Sequence, residues 1–331
     1  MSDPKRVAII GAGMAGLTLA RALAGHAAIR IFEKSRGIGG RMATRRIEDR
    51  AFDHGAQYIT IREPRFRDLL DAAAADGAVE RWNRDIVSLP AARQDGPRAD
   101  APRYVGKPAM NALPKWMARD CDIAFDTEIS SVSGTPGHWT LTAGAGEDGP
   151  FDWIVATAPA PQSAALLPPA FAHHAAMQTT RMHACFTLMV PLKPGAATPF
   201  AAARLDDPVI SWISRNDTKP GRDDAPCLVV NAGPEWSDRH IEAPLESLRV
   251  QIIEAVRRYV PLDSTEADSA VIKRWRYANV ARPAGQPFLL DPAQQLASCG
   301  DWCIAGRVEA AFESASRLAD ALLPALRETP P

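Results

Sequence analysis

Cysteine is scarce and unpatterned in this chain. The five residues, Cys121, Cys185, Cys227, Cys299 and Cys303, are odd in number and include no Cys-x-x-Cys pair. This argues against a disulfide framework and a zinc site, and fits a reducing compartment. The seven histidines (His26, His54, His138, His173, His174, His183 and His240) show no ligand spacing either, so no metal is expected. No apolar run reaches the roughly 18 residues of a membrane span. The short polar start from Met1 to Arg6 leaves no room for a cleaved leader, so a cytoplasmic protein is expected. An excess of one charge is missing too. Lys plus Arg is 38 and Asp plus Glu is 39, a net charge of -1, which is not the basic balance of a nucleic-acid binder. Only 7 of the 38 basic residues are lysine. The arginine bias suits phosphate and carboxylate recognition, or reflects genomic base composition. What is present is a 331-residue chain with 46% hydrophobic residues, enough for about two globular domains.

The patterning is that of an α/β protein. Val7-Ala8-Ile9-Ile10 is an apolar run ending in glycine, as in a buried parallel strand. Met14 to Ala24 has helical spacing and stops at Gly25, and Ile29 to Phe32 is a second strand, completing a βαβ unit. Pro64 to Ala75 and Pro108 to Arg119 read as helices, with Pro114 counting against the second. Residues 86–101 read as a hairpin or irregular loop. Ile123 to Val132 and His138 to Thr142 alternate like antiparallel strands, and Phe151 to Thr157 reads as a buried strand. Beyond these the chain changes character. Ala184 to Val190, Pro208 to Ile213, Cys227 to Asn231 and Ala270 to Tyr277 are strand-like. Pro244 to Tyr259 is an amphipathic helix with Leu245, Leu248, Ile252, Val256 and Tyr259 in one stripe. Cys303-Ile304-Ala305 reads as a short strand and Val308 to Arg327 as a long helix.

The glycines carry chemistry. Gly11-Ala12-Gly13-Met14-Ala15-Gly16 is G-x-G-x-x-G between a strand and a helix. The first glycine permits a tight turn, the second lets a pyrophosphate approach the backbone, and the third allows close helix packing. The helix N-terminus supplies free N–H groups. Glu33 ends the second strand, where its carboxylate can accept from ribose hydroxyls. The chain then stays in a glycine-rich loop, Lys34 to Gly40, and reaches Arg41, which is placed to meet a phosphate. Near the other end, Gly300-Asp301 precedes the expected strand, and Val308-Glu309-Ala310 opens the last helix. A helix N-terminus stabilises the negative charge that reduced flavin builds. Gly40-Arg41 resembles the Gly-Gly-Arg extension of the flavin amine oxidases, and Gly300-Asp301 before a helix resembles the C-terminal element of glutathione-reductase-type FAD folds; these resemblances imply non-covalently bound FAD.

With these residues in place the sequence resembles the bacterial renalases over nearly its whole length. The resemblance rests on Lys34-Ser35-Arg36-Gly37 through Gly40-Arg41-Met42, Gly55-Ala56-Gln57-Tyr58, and Val105-Gly106-Lys107-Pro108. It continues in Arg215-Asn216 with Lys219-Pro220, Arg282-Pro283-Ala284-Gly285, and Gly300-Asp301-Trp302-Cys303 with Gly306-Arg307-Val308-Glu309. It implies a p-hydroxybenzoate-hydroxylase-like FAD fold: a Rossmann-type FAD domain and a smaller substrate domain with a mixed or antiparallel sheet. The expected division is 1–75, 102–162 and 283–331 for the first and 76–101 and 163–282 for the second. The implied activity is oxidation of 2- and 6-dihydro-NAD(P) to NAD(P)+ by hydride transfer to flavin N5, with O2 reoxidising the flavin to give hydrogen peroxide. Gly55, Ala56, Gln57 and Ile129 join the cofactor set.

Around the reactive ring the expected residues are Gln57, Tyr58, Trp212 and Trp275, since aromatic walls can stack a planar nicotinamide; core packing is the other reading of the two tryptophans. Arg215, Asn216 and Lys219, with Arg222, form a loop that either steers a polyanion or is a solvated turn. His54 is expected near the flavin, where renalases carry an apolar residue. A monomer or weak dimer is expected. Two other functions stay open: a flavin amine oxidase acting on a small amine, and a non-catalytic FAD binder.

Overall fold

The computed structural model describes residues 3–90, 101–222 and 225–327. Its first sheet has six strands in the order Leu289–Asp291, Leu296–Ser298, Trp153–Ala156, Arg6–Ile10, Ala28–Phe32 and Ile123–Ala124. All pairings are parallel except that of Leu289–Asp291 with its neighbour. Arg6–Ile10 is apolar throughout its buried part because both faces of the sheet are covered. Val7 and Ile9 pack with Leu17 and Leu19 of the helix Met14–Leu23 and with Leu318 and Leu322 of the helix Val308–Arg327. Ala8 and Ile10 face Val132, Trp139, Leu141 and Phe151 of a three-stranded antiparallel sheet.

The second large sheet runs Val271–Arg282, Arg181–Pro191, Cys227–Ala232, Ile210–Arg215, Ala202–Leu205 and Ile86–Leu89. It is antiparallel but for the last pair. Successive side chains alternate between its faces. Phe186, Leu188 and Val190 pack with Leu248, Ile252 and Val256 of the helix Leu245–Arg257. The opposite face carries Thr187, Asn231, Trp212 and Trp275, and its Met189 and Val229 pack on Phe52. Lys273 pairs with Thr187, Thr187 with Asn231, and Asn231 with Trp212, so these four form one row across the sheet.

Several expectations are corrected. Cys303-Ile304-Ala305 is not a strand: Asp301–Ile304 is a helical turn, and the strand that Gly300 follows is Leu296–Ser298. Three apolar residues suit a buried turn as well as a strand. Ile123 to Val132 breaks into two strands belonging to different sheets, because Asp126 takes a left-handed φ of 51°. The helix expected from Pro108 is confined to Ala112–Met117. Pro114 is its third residue, where the missing N–H has no intrahelical partner to lose. Ile86–Leu89 is an edge strand rather than hairpin or loop, while residues 91–100 of that segment lie outside the described ones. Leu245 is 37% exposed and leaves the apolar stripe of its helix.

Candidate active site

The glycine motif forms a bare turn. Gly11 has φ +113° and donates its N–H to Phe32 O at 2.8 Å. A Cβ on Gly16 would collide with Gly11 O, whereas one on Gly13 would meet no atom within 4 Å. The helix from Met14 has no side-chain cap and no acid in its first turn, so its first N–H groups face an open cradle. Gly39 and Gly40, both at positive φ, lie against this turn. Gly39 N–H donates to Ala12 O at 3.0 Å, and a Gly40 Cβ would lie 3.7 Å from Gly13 Cα.

Glu33 is not the exposed acid its strand-end position suggests. It is buried, with Oε2 accepting from Ala12 N–H and Oε1 from Ser35 N–H, both at 2.9 Å. Lys34 points outward, 3.8 Å from Glu128. Ile129 packs in the same cluster as Ile10 and Phe32, at the ends of the two parallel strands.

Arg41, expected to reach a phosphate, instead grips Asp301 with two hydrogen bonds and donates to Ala278 O at 3.1 Å. The two ends of the chain are thereby tied at one point. Glu309 in the first turn of the last helix is buried. Its Oε1 accepts from the N–H groups of Arg62 and Glu63, the latter at 2.8 Å. It therefore holds the loop after Tyr58, while Val308 and Ala310 flank it at the helix start.

Between these motifs runs the strip Asp53 to Tyr58. Gly55 packs on Arg41 O, and Ala56 N–H donates to the same oxygen at 2.8 Å. Both candidate tryptophans dock on this strip. Trp212 Nε1–H donates to Gln57 Oε1 at 3.3 Å, and Trp275 Nε1–H donates to His54 O at 2.8 Å. Trp275 also stacks on the His54 ring, with centroids 5.1 Å apart and planes at 18°. Tyr58 lies 5.8 Å from Trp212 and accepts from Arg204 Nη2 at 2.8 Å. The two tryptophan strands are three apart, so about 14 Å of sheet separates the walls. Thr187 and Asn231, hydrogen-bonded to each other at 3.2 Å, lie between them.

Gln57 is a hub rather than a free polar group. Its Nε2 donates to Asp53 O and Gly55 O. Its Oε1 accepts from Trp212, from Ser214 Oγ at 3.0 Å and from Lys219 Nζ at 3.3 Å. The loop of Arg215, Asn216 and Lys219 is neither a charged steering surface nor a solvated turn. Arg215 pairs with Asp217 at 2.6 Å, Asn216 is buried on Ala51 O, and Lys219 is entirely enclosed.

Lys219 Nζ lies 3.2 Å from Asp53 Oδ2, which Arg222 Nη2 also contacts. Asp53 Oδ1 accepts from Thr44 Oγ and Met110 N–H. Burial alone would raise the Asp53 carboxyl, but the charges of Lys219 and Arg222 outweigh it and hold it at about 2. Burial is the main reason Lys219 falls to about 8, with Asp53 opposing it and Arg222 adding to it. One carboxylate thus faces two buried cations. His54, 7% exposed, is lowered to about 4 by burial and then by the charges of Lys273 and Arg45. Asp53, Thr187 and Ser214 are not among the sequence candidates. Asp53 adjoins His54 and Gln57, but nothing local links it to Lys219, 166 residues away.

Among the described residues, no cluster of His, Cys, Asp and Glu forms a metal site, and no helix is long and apolar enough to cross a membrane. Comparison with known proteins places the chain. A family model for NAD(P)-binding Rossmann-like domains matches residues 9–73, and one for flavin containing amine oxidoreductases matches residues 95–323. Cyclohexylamine oxidase from Brevibacterium oxydans IH-35A has a similar structure: TM-score 0.73, 14% identity, covering 99% of this chain and 100% of that one. Putrescine oxidase bound to putrescine gives 0.69 at 15% identity over 98% and 99%. Reduced UDP-galactopyranose mutase gives 0.74 at 12% over 98% and 96%. These likenesses speak for the fold, which serves more than one reaction. The sequence match spans most of the chain: this protein belongs to the flavin containing amine oxidoreductase family, whose cofactor is FAD.

Proposed function

We propose that this FAD-dependent oxidoreductase acts as a renalase-like oxidase. It takes 2- and 6-dihydro isomers of NAD(P) to NAD(P)+, uses O2 as acceptor and releases hydrogen peroxide. The site charge carries this reading. Asp53 faces both Lys219 and Arg222, so a buried excess of one positive charge sits beneath Gln57 and the aromatic walls. That field disfavours a protonated amine and favours an anionic dinucleotide. Family membership supports amine oxidation as the competing reading, and the charge counts against it.

The residues present fit FAD. The open cradle over Gly13 and the uncapped helix end suit its pyrophosphate. Glu33, Gly39 to Arg41, Gly55 to Gln57, Asp301 and the helix start at Val308 to Ala310 complete the set, in a p-hydroxybenzoate-hydroxylase-like arrangement. Bound FAD supplies the hydride acceptor, N5, and the reactivity with O2. The protein's part is to orient the donor ring. Trp212 and Trp275 have their indole N–H groups tied down, which fixes the rings; Trp212 is buried against Tyr58, and the half-buried Trp275, stacked on His54, is the wall nearer the surface. Forming an aromatic pyridinium removes a hydride and no proton, so no base is required; Gln57 is saturated and His54 is neutral near pH 7. Aerobic turnover with a 6-dihydro-NAD sample tests this, with NAD+ and peroxide expected in equal amounts. Oxygen consumption with cyclic or linear amines and none with the isomers would replace it.

A further inference from the structure

We infer that Arg45 and Lys273 form an anion-recognition pair beside the His54–Trp275 stack and take the pyrophosphate of the dihydronicotinamide dinucleotide. This rests on the proposed function and says where its substrate is held. The sequence points to Arg215 and Lys219 for that task, but both are internal and paired. Arg45 and Lys273 are exposed, and among the described residues neither has a carboxylate partner.

Their placement follows from register. Arg45 pairs with Phe52 across the hairpin of Arg45–Ile47 and Arg50–Phe52, and His54 lies two residues beyond Phe52. Lys273 lies two residues before Trp275 on the same face of its strand, and its Nζ is 5.8 Å from the Trp275 ring centroid. Burial is the main cause of the lowered His54 imidazole, and the charges of Lys273 and Arg45 add to it. Asp53, the carboxylate facing His54, is spent on Lys219 and Arg222, so it neutralises neither.

A second observation points to a ligand. His54 is more than nine-tenths buried, and its Nδ1 has no hydrogen-bond partner in the protein. Buried polar nitrogens are normally satisfied, so this one leaves a place for a water or a ligand atom beside the two cations. The spacing also suits a dinucleotide. Lys273 Nζ stands 5.8 Å from the Trp275 ring centroid, the scale of one ribose between a ring beside Trp275 and a phosphate at Lys273. The arginine fork and the lysine point charge are complementary ways of holding phosphate oxygens.

The test uses FAD-loaded protein with 6-dihydro-NAD and with 6-dihydronicotinamide riboside, which lacks phosphate. Each of Arg45→Ala and Lys273→Ala should raise KM for the dinucleotide about tenfold, with kcat nearly constant, and the double variant about a hundredfold. The riboside should respond far less. Added salt should raise the wild-type KM for the dinucleotide and have little effect on the double variant. Wild-type KM in the variants, or an equal rise for the riboside, overturns the pair as a phosphate site. If the wild type oxidises neither compound, the parent reading fails, and inorganic pyrophosphate decides the pair separately. Calorimetric binding to wild type that is lost in the double variant supports it, and no binding, or unchanged binding, overturns it.

Discussion

Arg41 and Asp301 stand 260 residues apart and meet in a two-point ion pair, Nη1 to Oδ2 at 2.9 Å and Nη2 to Oδ1 at 2.5 Å. The pair joins the second glycine cluster to the Gly-Asp near the C-terminus. The contact adds a side-chain link to the strand pairing that already sets Leu296–Ser298 beside Trp153–Ala156.

Removing either partner should therefore loosen both motifs. Asp301→Ala and Arg41→Ala are each expected to lower apo-protein stability by about 1–3 kcal/mol and to reduce retained FAD. The double variant should cost much less than the sum, because one interaction is lost only once. Thermal unfolding and the flavin-to-protein absorbance ratio read both effects. Additive losses would show that the two residues act separately.

Glu33 is expected to matter to folding as well as to FAD. Glu33→Ala strands the buried Ala12 N–H, at a cost of about 1–3 kcal/mol, and frees the N–H of the exposed Ser35 to water. Glu33→Gln keeps one acceptor oxygen and should recover part of that loss. A Glu33→Ala apo protein melting at the wild-type temperature would contradict this account of the strand end.

The histidine lowered to about 4 sets a pH dependence. His54 is neutral in the fold above about pH 4, while the unfolded chain keeps it protonated up to about 6.5. Between those values the unfolded state binds more protons, so stability rises with pH across the window, by about 3 kcal/mol at most. His54→Phe keeps the stack on Trp275 and should flatten that part of the profile. Denaturant titrations from pH 4 to 7 that show the same slope in both proteins would contradict it.

Lys219 gives a second window, at the other end. As pH rises through about 8 it loses its proton, and the cluster with Asp53 and Arg222 goes from one net positive charge to none. Capture of the dinucleotide should weaken, with KM rising above pH 8 while kcat changes less. Lys219→Met should remove the inflection. A wild-type KM flat from pH 7 to 9 would show that this charge does not reach the substrate.

Much of the architecture was legible. Pro64–Ala75 and Val308–Arg327 have their expected ends, because a proline or glycine boundary coincides with a periodic apolar stripe. The turn at Asp301–Ile304 was missed because three apolar residues in a row carry no period. The environment of the 215–222 loop was missed for a different reason. Arginine, asparagine and lysine near Pro220 and Gly221 read as surface, and only the fold brings Ala51 O to Asn216 and Asp53 to Lys219 and Arg222. The strip from Asp53 to Gln57 was half visible: Gly55 to Tyr58 were named, but the role of Gln57 as a saturated hub depends on Trp212, Ser214 and Lys219 arriving from the other sheet.

The most direct measurement mixes the oxidised, FAD-loaded protein anaerobically with 6-dihydro-NAD, 2-dihydro-NAD, ordinary 4-dihydro-NADH and a panel of amines, following flavin absorbance. A site that holds the donor ring in one orientation places one carbon within the roughly 3–3.5 Å needed for transfer. The account predicts fast bleaching by the 6- or 2-dihydro isomer, little by the 4-dihydro form or any amine, and return of the yellow colour with peroxide on admitting air. Faster bleaching by an amine than by either isomer at equal concentration would contradict it.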